Sequence, residues 1–184
     1  MKTTKMICKS TKKVFLTMFV AMLCMSSQAQ EKGDFAVGVQ TGFKMTDVGF
    51  LKEKAHLNQL GIGAFAQYSL SDHWRMELDG NYHPMKDHMS DFTVGLNAQY
   101  VFNLTDNFKI YPLIGYAVAF GHSETYTEDR VTIEGDNDTD GGIELGVGLQ
   151  YNLNDKWFIK GDYKYMPGIF GDVHVVTAGI GIRF

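Results

Sequence analysis

Strict alternation of residue type between Trp74 and Tyr82 constrains this chain more than any other feature of its sequence. The even-numbered positions are apolar, aromatic or glycine, and the odd-numbered positions are charged or amide. Because successive side chains of a β-strand point to opposite faces of a sheet, the segment predicts a strand with one apolar and one polar environment. The pattern recurs in seven other segments, so we expect an all-β chain.

The period-two pattern predicts eight strands, and the chain after residue 29 has no apolar run long enough for a spanning helix. Each predicted strand is close to the roughly 9 to 11 residues that a tilted strand needs to cross a bilayer. We expect the strands at residues 34–43, 59–70, 74–83, 91–102, 108–121, 140–151, 157–165 and 174–184.

The first 29 residues have the pattern of a secretory signal peptide. Five lysines precede an apolar run from Val14 to Met25, and Ser27, Gln28 and Ala29 form a small-x-small cleavage site. A membrane-spanning helical anchor would need about 20 apolar residues, more than this run contains. We therefore expect residues 1–29 to be removed and residues 30–184 to form a single barrel domain.

Removal of the signal would change both the cysteine content and the charge of the chain. Both cysteines, Cys8 and Cys24, lie in the signal, so no disulfide is expected in the mature protein. The signal also holds five of the 17 basic residues and none of the 21 acidic ones. The strongly acidic remainder argues against a nucleic-acid partner.

One face of every predicted strand lacks Asp, Glu, Lys and Arg. A charge facing the middle of a bilayer costs up to about 2 to 4 kcal/mol, so lipid on this face would explain the absence. The alternative fold is a water-soluble barrel of the lipocalin kind, which would direct its apolar residues inward. Aromatic residues at the strand ends, behind an export signal, favour the membrane barrel.

The opposite face predicts a polar, filled interior. Its acidic and basic residues nearly balance, and because an unpaired buried charge is costly we expect them to pair inside a narrow barrel. The predicted interior charges are Arg75, Glu77, Asp79, Lys109, Glu144, Lys160, Asp162, Lys164 and Arg183.

Three short connections repeat one pattern of Ser, Thr, Asn and Asp between aromatic residues, near Ser71, Thr105 and Asn154. Such side chains supply hydrogen bonds within turns. The short connections alternate with longer ones, which predicts that the short set is periplasmic and the long set external. We expect a periplasmic aromatic girdle formed by Tyr68, Trp74, Tyr100, Phe102, Phe108, Tyr151, Trp157 and Phe184.

Pro112 is the one residue that fits a predicted strand poorly. Proline has no backbone N–H to donate to a neighbouring strand, and a closed barrel has no free edge on which to place it. We expect a bulge or a local break near Pro112.

With these features, residues 30–184 resemble the small eight-stranded outer-membrane β-barrels of the OmpA/OmpX type. The segment from His174 to Phe184 alternates and ends in an aromatic residue, similar to the signal read by the outer-membrane assembly machinery. The resemblance implies an antiparallel up-and-down transmembrane barrel, expected as a monomer, in the outer membrane of a two-membrane bacterium. It implies outer-membrane lipid, lipopolysaccharide, the barrel assembly machinery and periplasmic chaperones as partners.

An acidic segment in the longest external connection could bind calcium. Asp136, Asp138 and Asp140, followed by glycine, reproduce the opening of a calcium-binding loop. The twelfth position of that template would be Val147 instead of a bidentate Glu. The alternative is an acidic, solvated external loop, and no other cofactor is expected.

Two further sets of residues carry weaker chemical signals. His122, Ser123 and Glu124 are the residue types of a hydrolytic triad, but adjacent strand residues point to opposite faces and cannot readily share a proton. The second set, near the second external connection, comprises residues that could bind a soft metal or could simply be exposed: His83, Met85, His88 and Met89.

The expected function is that of a non-enzymatic barrel that anchors or displays its external loops. Eight strands leave an interior just wide enough for side chains to fill, which argues against an open channel. A narrow conduit for small or amphipathic solutes is the main alternative, and a lipid-modifying hydrolase is a further one.

Overall fold

A computed structural model of the chain describes residues 32–50, 53–86, 89–128, 131–133, 135–168 and 172–184. The predicted signal peptide, residues 1–29, lies outside the described residues, as does His88. No helix in the described part of the chain is long and apolar enough to cross a membrane.

The described residues form eight long strands and three short ones. The long strands are β1 (Phe35–Phe50), β2 (Glu53–Ser69), β3 (Trp74–Lys86), β4 (Met89–Tyr100), β6 (Phe108–Ser123), β9 (Asn137–Asn152), β10 (Trp157–Met166) and β11 (Asp172–Arg183). The short strands are β5 (Phe102–Asn103), β7 (Tyr126–Glu128) and β8 (Val131–Ile133).

The eight long strands close into an antiparallel barrel. Each pairs with its neighbour along the chain, β1 pairs with β11, and β4 pairs with β6. The short strand β5 continues β4 along the same neighbour, whereas β7 and β8 pair separately in a two-stranded sheet. The predicted fold class, an eight-stranded up-and-down β-barrel, is therefore confirmed.

The three predicted short turns share one hydrogen-bonding device. In each, a side-chain oxygen accepts the backbone N–H of the aromatic residue three positions later, which begins the next strand. The acceptors are Ser71 Oγ at 3.1 Å, Thr105 Oγ1 at 3.0 Å and Asn154 Oδ1 at 2.8 Å. The repeated turn pattern in the sequence thus has a common structural cause.

At the opposite end of the barrel the strands run further than their sequence pattern predicts. Backbone pairing between β1 and β2 continues from Phe43 and Leu60 up to Phe50 and Glu53. The prediction of a long connection over residues 44–58 is therefore wrong, because most of it is a hairpin. Beyond the lipid-facing residues the outward face of a strand need no longer be apolar, so the alternation that predicts a strand is no longer required.

Two prolines interrupt the ladders. The β4 strand ends at Tyr100 and β5 resumes at Phe102 in the same register against β6, so the ladder breaks opposite Pro112 without a shift. This is the local break predicted for a residue without an N–H. At Pro84 the register between β3 and β4 does shift, which marks a β-bulge.

The barrel is apolar outside and polar inside. The outward-facing Leu60 and Ile62 are 65 % and 66 % exposed, whereas the inward-facing Glu77 is 0 % exposed. Inward glycines make room for large interior side chains: a Cβ added at Gly148 would overlap the ring of Tyr111 and the carboxylate of Asp162. This arrangement fits a barrel surrounded by lipid.

Candidate functional site

The middle of the lumen is occupied by an ion-paired cluster. Lys160 Nζ lies 2.6 Å from Glu77 Oε2 and 3.0 Å from Asp162 Oδ2, and all three side chains are 0 % exposed. Gln67 donates a further hydrogen bond to Glu77 Oε2 at 2.6 Å. The Lys160 ammonium also lies over the ring of Phe65, 4.1 Å from its centroid. These contacts fix both carboxylates across the barrel.

A second cluster is built around Lys164. Its ammonium lies 2.7 Å from Asp79 Oδ2 and 2.8 Å from Glu144 Oε1. Asn97 and Asn81 donate hydrogen bonds to the two oxygens of Asp79, at 3.0 Å and 2.9 Å. The pairs join side chains from distant parts of the chain, so they link opposite walls of the barrel and fill its centre.

The end of the lumen beside the short turns, predicted to be periplasmic, has a different character. Arg75 donates to Gln99 Oε1 and Gln150 Oε1, both at 2.7 Å, and its guanidinium lies over the ring of Tyr111 at 4.7 Å. Arg183 lies 3.8 Å from Asp34 Oδ2. The structure therefore brings six of the predicted interior charges into two ion-paired clusters, but holds Arg75 by neutral amides and sets Arg183 and Lys109 apart.

The opposite end of the lumen, predicted to be external, contains a third ion-paired group that the sequence pattern does not predict. Asp91 accepts from Lys44 Nζ at 2.7 Å and lies 3.0 Å from His83 Nδ1. Lys44 falls in the stretch predicted as a loop, and His83 was assigned to a soft-metal set. If the alternation of the predicted strands is continued to Lys44 and His83, it predicts that both side chains point inward, as Asp91 does.

A small cavity separates this external group from the Lys164 cluster. Its volume is about 20 Å³, which is room for about one water molecule. One wall is polar and includes Lys44 and His83, whereas the other is apolar and includes Met166, Val173 and Val175. The cavity is a local gap in the filling of the barrel.

Most of the predicted girdle residues face outward at the end of the barrel beside the short turns. Trp74 packs edge-on against Tyr100, with ring centroids 5.1 Å apart, and Phe35 stacks on Phe184 at 6.4 Å. The residues that reach the surface are Tyr68, Trp74, Tyr100, Phe108, Tyr151, Trp157 and Phe184. Phe102 is a correction to the prediction: it is 7 % exposed, because its ring packs against Tyr100 at the break opposite Pro112.

The predicted calcium residues lie along an extended chain. Asp138 and Asp140 are in β9, opposite Gly121 and Ala119 of β6, and Asp136 directly precedes the strand. Each of the three carboxylates accepts the backbone N–H of the following residue at 2.8 Å. Among the described residues, no group of three or more His, Cys, Asp or Glu is placed to hold a metal ion. Calcium binding here stays a prediction.

The remaining predicted sets are not brought together. His122 Nδ1 lies 2.7 Å from Asn137 Oδ1, whereas Ser123 Oγ donates to the carbonyl oxygen of Asp136 at 3.2 Å. These two side chains have separate partners and do not form a nucleophile and base pair. In the other set, His83 faces the lumen while Met85 and Met89 are exposed.

The family model of the outer membrane protein beta-barrel domain matches residues 15–184. No curated protein matches the chain. Among solved structures, the attachment invasion locus protein Ail of Yersinia pestis is 15 % identical with a TM-score of 0.62, over 83 % of this chain and 99 % of that one. Neisserial surface protein A is also 15 % identical, with a TM-score of 0.64, over 83 % of this chain and 100 % of that one.

The outer membrane protein OprG of Pseudomonas aeruginosa is 16 % identical with a TM-score of 0.60, over 86 % of this chain and 99 % of that one. At these identities the likeness establishes the fold alone, and it agrees with the closed eight-stranded barrel. Together with the family match over nearly the whole chain, it shows that this chain belongs to the outer membrane protein beta-barrel domain family.

Proposed function

We propose that this protein is a non-enzymatic outer-membrane barrel that anchors its external hairpins and displays them at the cell surface. The observation that carries the proposal is the contrast between the two ends of the strands. At one end the strands meet in tight turns, and at the other β1 and β2 continue seven residues beyond the lipid-facing Phe43 to Phe50. A barrel with a filled lumen and extended hairpins is suited to displaying those hairpins rather than to passing solutes.

The interior supports an anchor in preference to a conduit. The ion pairs of Lys160 and Lys164 cross the middle of the lumen, and the cavity beside Lys164 holds about one water molecule. A solute would have to displace buried ion pairs, and breaking such a pair costs about 3 to 5 kcal/mol. The ion-paired side chains thus both stabilise the barrel and obstruct its lumen.

The charge of the external end restricts the partners we propose. Between residues 122 and 140 the sequence has seven acidic residues and one basic residue, Arg130. One structure of the neighbour Ail is a complex with the heparin analogue sucrose octasulfate. A polyanion of that kind would be repelled by the acidic segment here, so we propose cationic partners. Divalent cations bridging Asp136, Asp138 and Asp140 to lipopolysaccharide are part of this proposal.

The test compares intact cells that carry the full chain with cells that carry shortened hairpins. Deleting residues 47–56 or residues 124–135, each replaced by a two-residue Asn-Gly turn, keeps the strand register and should leave the barrel intact, as judged by the gel shift between boiled and unboiled samples. We expect the deletion of residues 124–135 to reduce binding of cells to a polycationic surface, because it removes four acidic residues and one basic residue. The deletion in the first hairpin removes two of each and should change this binding little. A matched variant, D136N/D138N/D140N, changes the charge and keeps the length.

Binding that is unchanged in both deletions and in the triple Asn variant would contradict the proposal. Binding that is lost equally on heparin-coated and polycation-coated surfaces would contradict the proposed charge preference. Because the gel shift reports the barrel separately, a loss of folding would not be mistaken for a loss of function.

A narrow conduit is the second candidate, and the external cavity is the observation that favours it. Its polar wall at Lys44 and its apolar wall at Val173 and Val175 could accept an amphipathic solute. Purified protein in a planar bilayer should show no steady conductance if the barrel is only an anchor. Conductance that rises in K160M would favour the conduit. An unchanged lipid A profile in H122A and S123A cells would support the proposed absence of hydrolase activity.

A further inference from the structure

The charges inside the barrel nearly balance in total but not along its axis. The middle of the lumen has an acidic excess, with the ammonium groups of Lys160 and Lys164 facing the carboxylates of Glu77, Asp79, Glu144 and Asp162. The end at the short turns, predicted to be periplasmic, has a basic excess, with Arg75, Lys109 and Arg183 near the carboxylates of Asp34 and Asp155. Glu77 acts on Arg75 from the middle layer, but the other two cations lie further out.

Lys109 is the least compensated of these cations. It is 4 % exposed and lies directly opposite Gln150 of β9 and Asn103 of β5. Among the described residues the ammonium group of Lys109 makes no hydrogen bond or ion pair. The charges that act on it are the like charges of Arg183 and Arg75, and then the opposite charge of Asp34. A buried ammonium without a partner is costly, so an opposite charge from outside the barrel would stabilise it.

Arg75, whose charge acts on Lys109, and its hydrogen-bond partner Gln99 both have donor atoms without acceptors. The buried Nη2 of Arg75 and the buried Nε2 of Gln99 have no hydrogen-bond partner in the described part of the chain. Arg75 bonds to Gln150, so Arg75 and Lys109 flank the same side chain. Asn103, which lies opposite Lys109, has an unpartnered acceptor, Oδ1, a neutral atom that could bond to Lys109 but would not balance its charge.

The region is open to the periplasm. The side chains of Arg183 and Asp34 are 18 % and 22 % exposed, unlike the fully buried pairs in the middle of the barrel. A small solute can therefore reach Arg183 and Asp34, two of the charged residues that act on Lys109. The same solute would meet the ion-paired clusters of Lys160 and Lys164 if it moved further in.

We propose that the periplasmic mouth of the barrel binds a small oxyanion between Lys109, Arg75 and Arg183. The ligand class follows from the donors: guanidinium and ammonium groups form charge-assisted hydrogen bonds with phosphate or carboxylate oxygens. The site does not depend on the external hairpins, so it stands or falls independently of the proposed display function. The ion would neutralise the basic excess of the mouth.

The experiment uses protein purified from outer membranes and exchanged into an uncharged detergent. Inorganic phosphate is titrated at constant ionic strength, and amide and guanidinium shifts are followed by nuclear magnetic resonance. We expect saturable shifts at Lys109, Asn103 and Arg75, without shifts at Lys44 at the opposite end of the lumen. A parallel titration with acetate separates the two sources of oxyanion chemistry: saturation by phosphate alone indicates a tetrahedral anion, and saturation by both includes carboxylates.

Three variants make the test specific. K109M should weaken phosphate binding at least tenfold, whereas K44M, which removes a lumenal lysine at the other end, should leave it unchanged. D34N removes the carboxylate that lies 3.8 Å from Arg183 and should tighten binding several-fold, a gain that a misfolded protein would not show. Shifts that do not saturate, or equal affinity in K109M and the unaltered chain, would overturn the proposal.

Discussion

Replacing Lys160 with methionine tests whether the lumen is a dry, ion-paired interior. The substitution keeps much of the side-chain volume but leaves the carboxylates of Glu77 and Asp162 without the ammonium that lies 2.6 Å and 3.0 Å away. All three side chains are 0 % exposed, so solvent cannot replace the lost partner. Removing one member of a buried pair costs about 3 to 5 kcal/mol, so K160M should lower the folding equilibrium constant by roughly two to four orders of magnitude.

The assay is urea unfolding in lipid bilayers, followed by the fluorescence of the two tryptophans, Trp74 and Trp157, which lie at the membrane surface. The double variant E77Q/K160M should recover at least about 1 kcal/mol relative to K160M, because two neighbours of one network are not additive. The matched control is K156M, in an exposed turn, which should change the free energy of unfolding by less than about 0.5 kcal/mol.

A loss in K160M of less than about 1 kcal/mol, the value typical of exposed pairs, would refute the reasoning. It would mean that water enters the lumen and solvates the two carboxylates. The absence of any recovery in the double variant would show that Lys160 acts through packing against Phe65 and not through its charge.

Three further changes probe other parts of the barrel, each by the same unfolding assay. G148A should destabilise the barrel by about 1 to 3 kcal/mol through overpacking, whereas the outward G161A, with its nearest contact at 3.5 Å, should have little effect. L78R, midway between the two ends of β3 on the lipid face, should cost about 2 to 4 kcal/mol, and L153R in an exposed turn should cost far less. N154A removes the 2.8 Å hydrogen bond to the first residue of β10 and should cost about 1 kcal/mol.

The sequence was sufficient to predict the parts of the barrel where two environments meet across a strand. Lipid on one face and a filled lumen on the other impose alternation, and so Leu78 and Glu77 could be assigned to opposite faces. The short turns were equally predictable, because their side-chain hydrogen bonds require particular residue types at fixed spacing, as at Ser71 and Asn154.

The length of the strands at the end predicted to be external and the ion pairing inside the lumen could not be predicted in the same way. Where a strand leaves the membrane its outward face need no longer be apolar, so the alternation ends before Lys44 although Lys44 lies inside the barrel. The alternation of residue types predicts that Lys109 and Lys160 point inward. It does not predict that Lys160 is ion-paired and that Lys109 is not. That difference depends on registers among non-adjacent strands, which a single sequence does not reveal.

The alternation of apolar and polar side chains also bears on how the chain travels before it folds. Strand β10, for example, interleaves Lys160, Asp162 and Lys164 with Ile159, Tyr163 and Tyr165. A helix retained in a bilayer needs about 20 predominantly apolar residues, and no stretch built this way can supply them. An export channel that recognises such helices would therefore let the unfolded strands pass, and the same residues would become membrane-spanning only after pairing has sorted them to opposite sides.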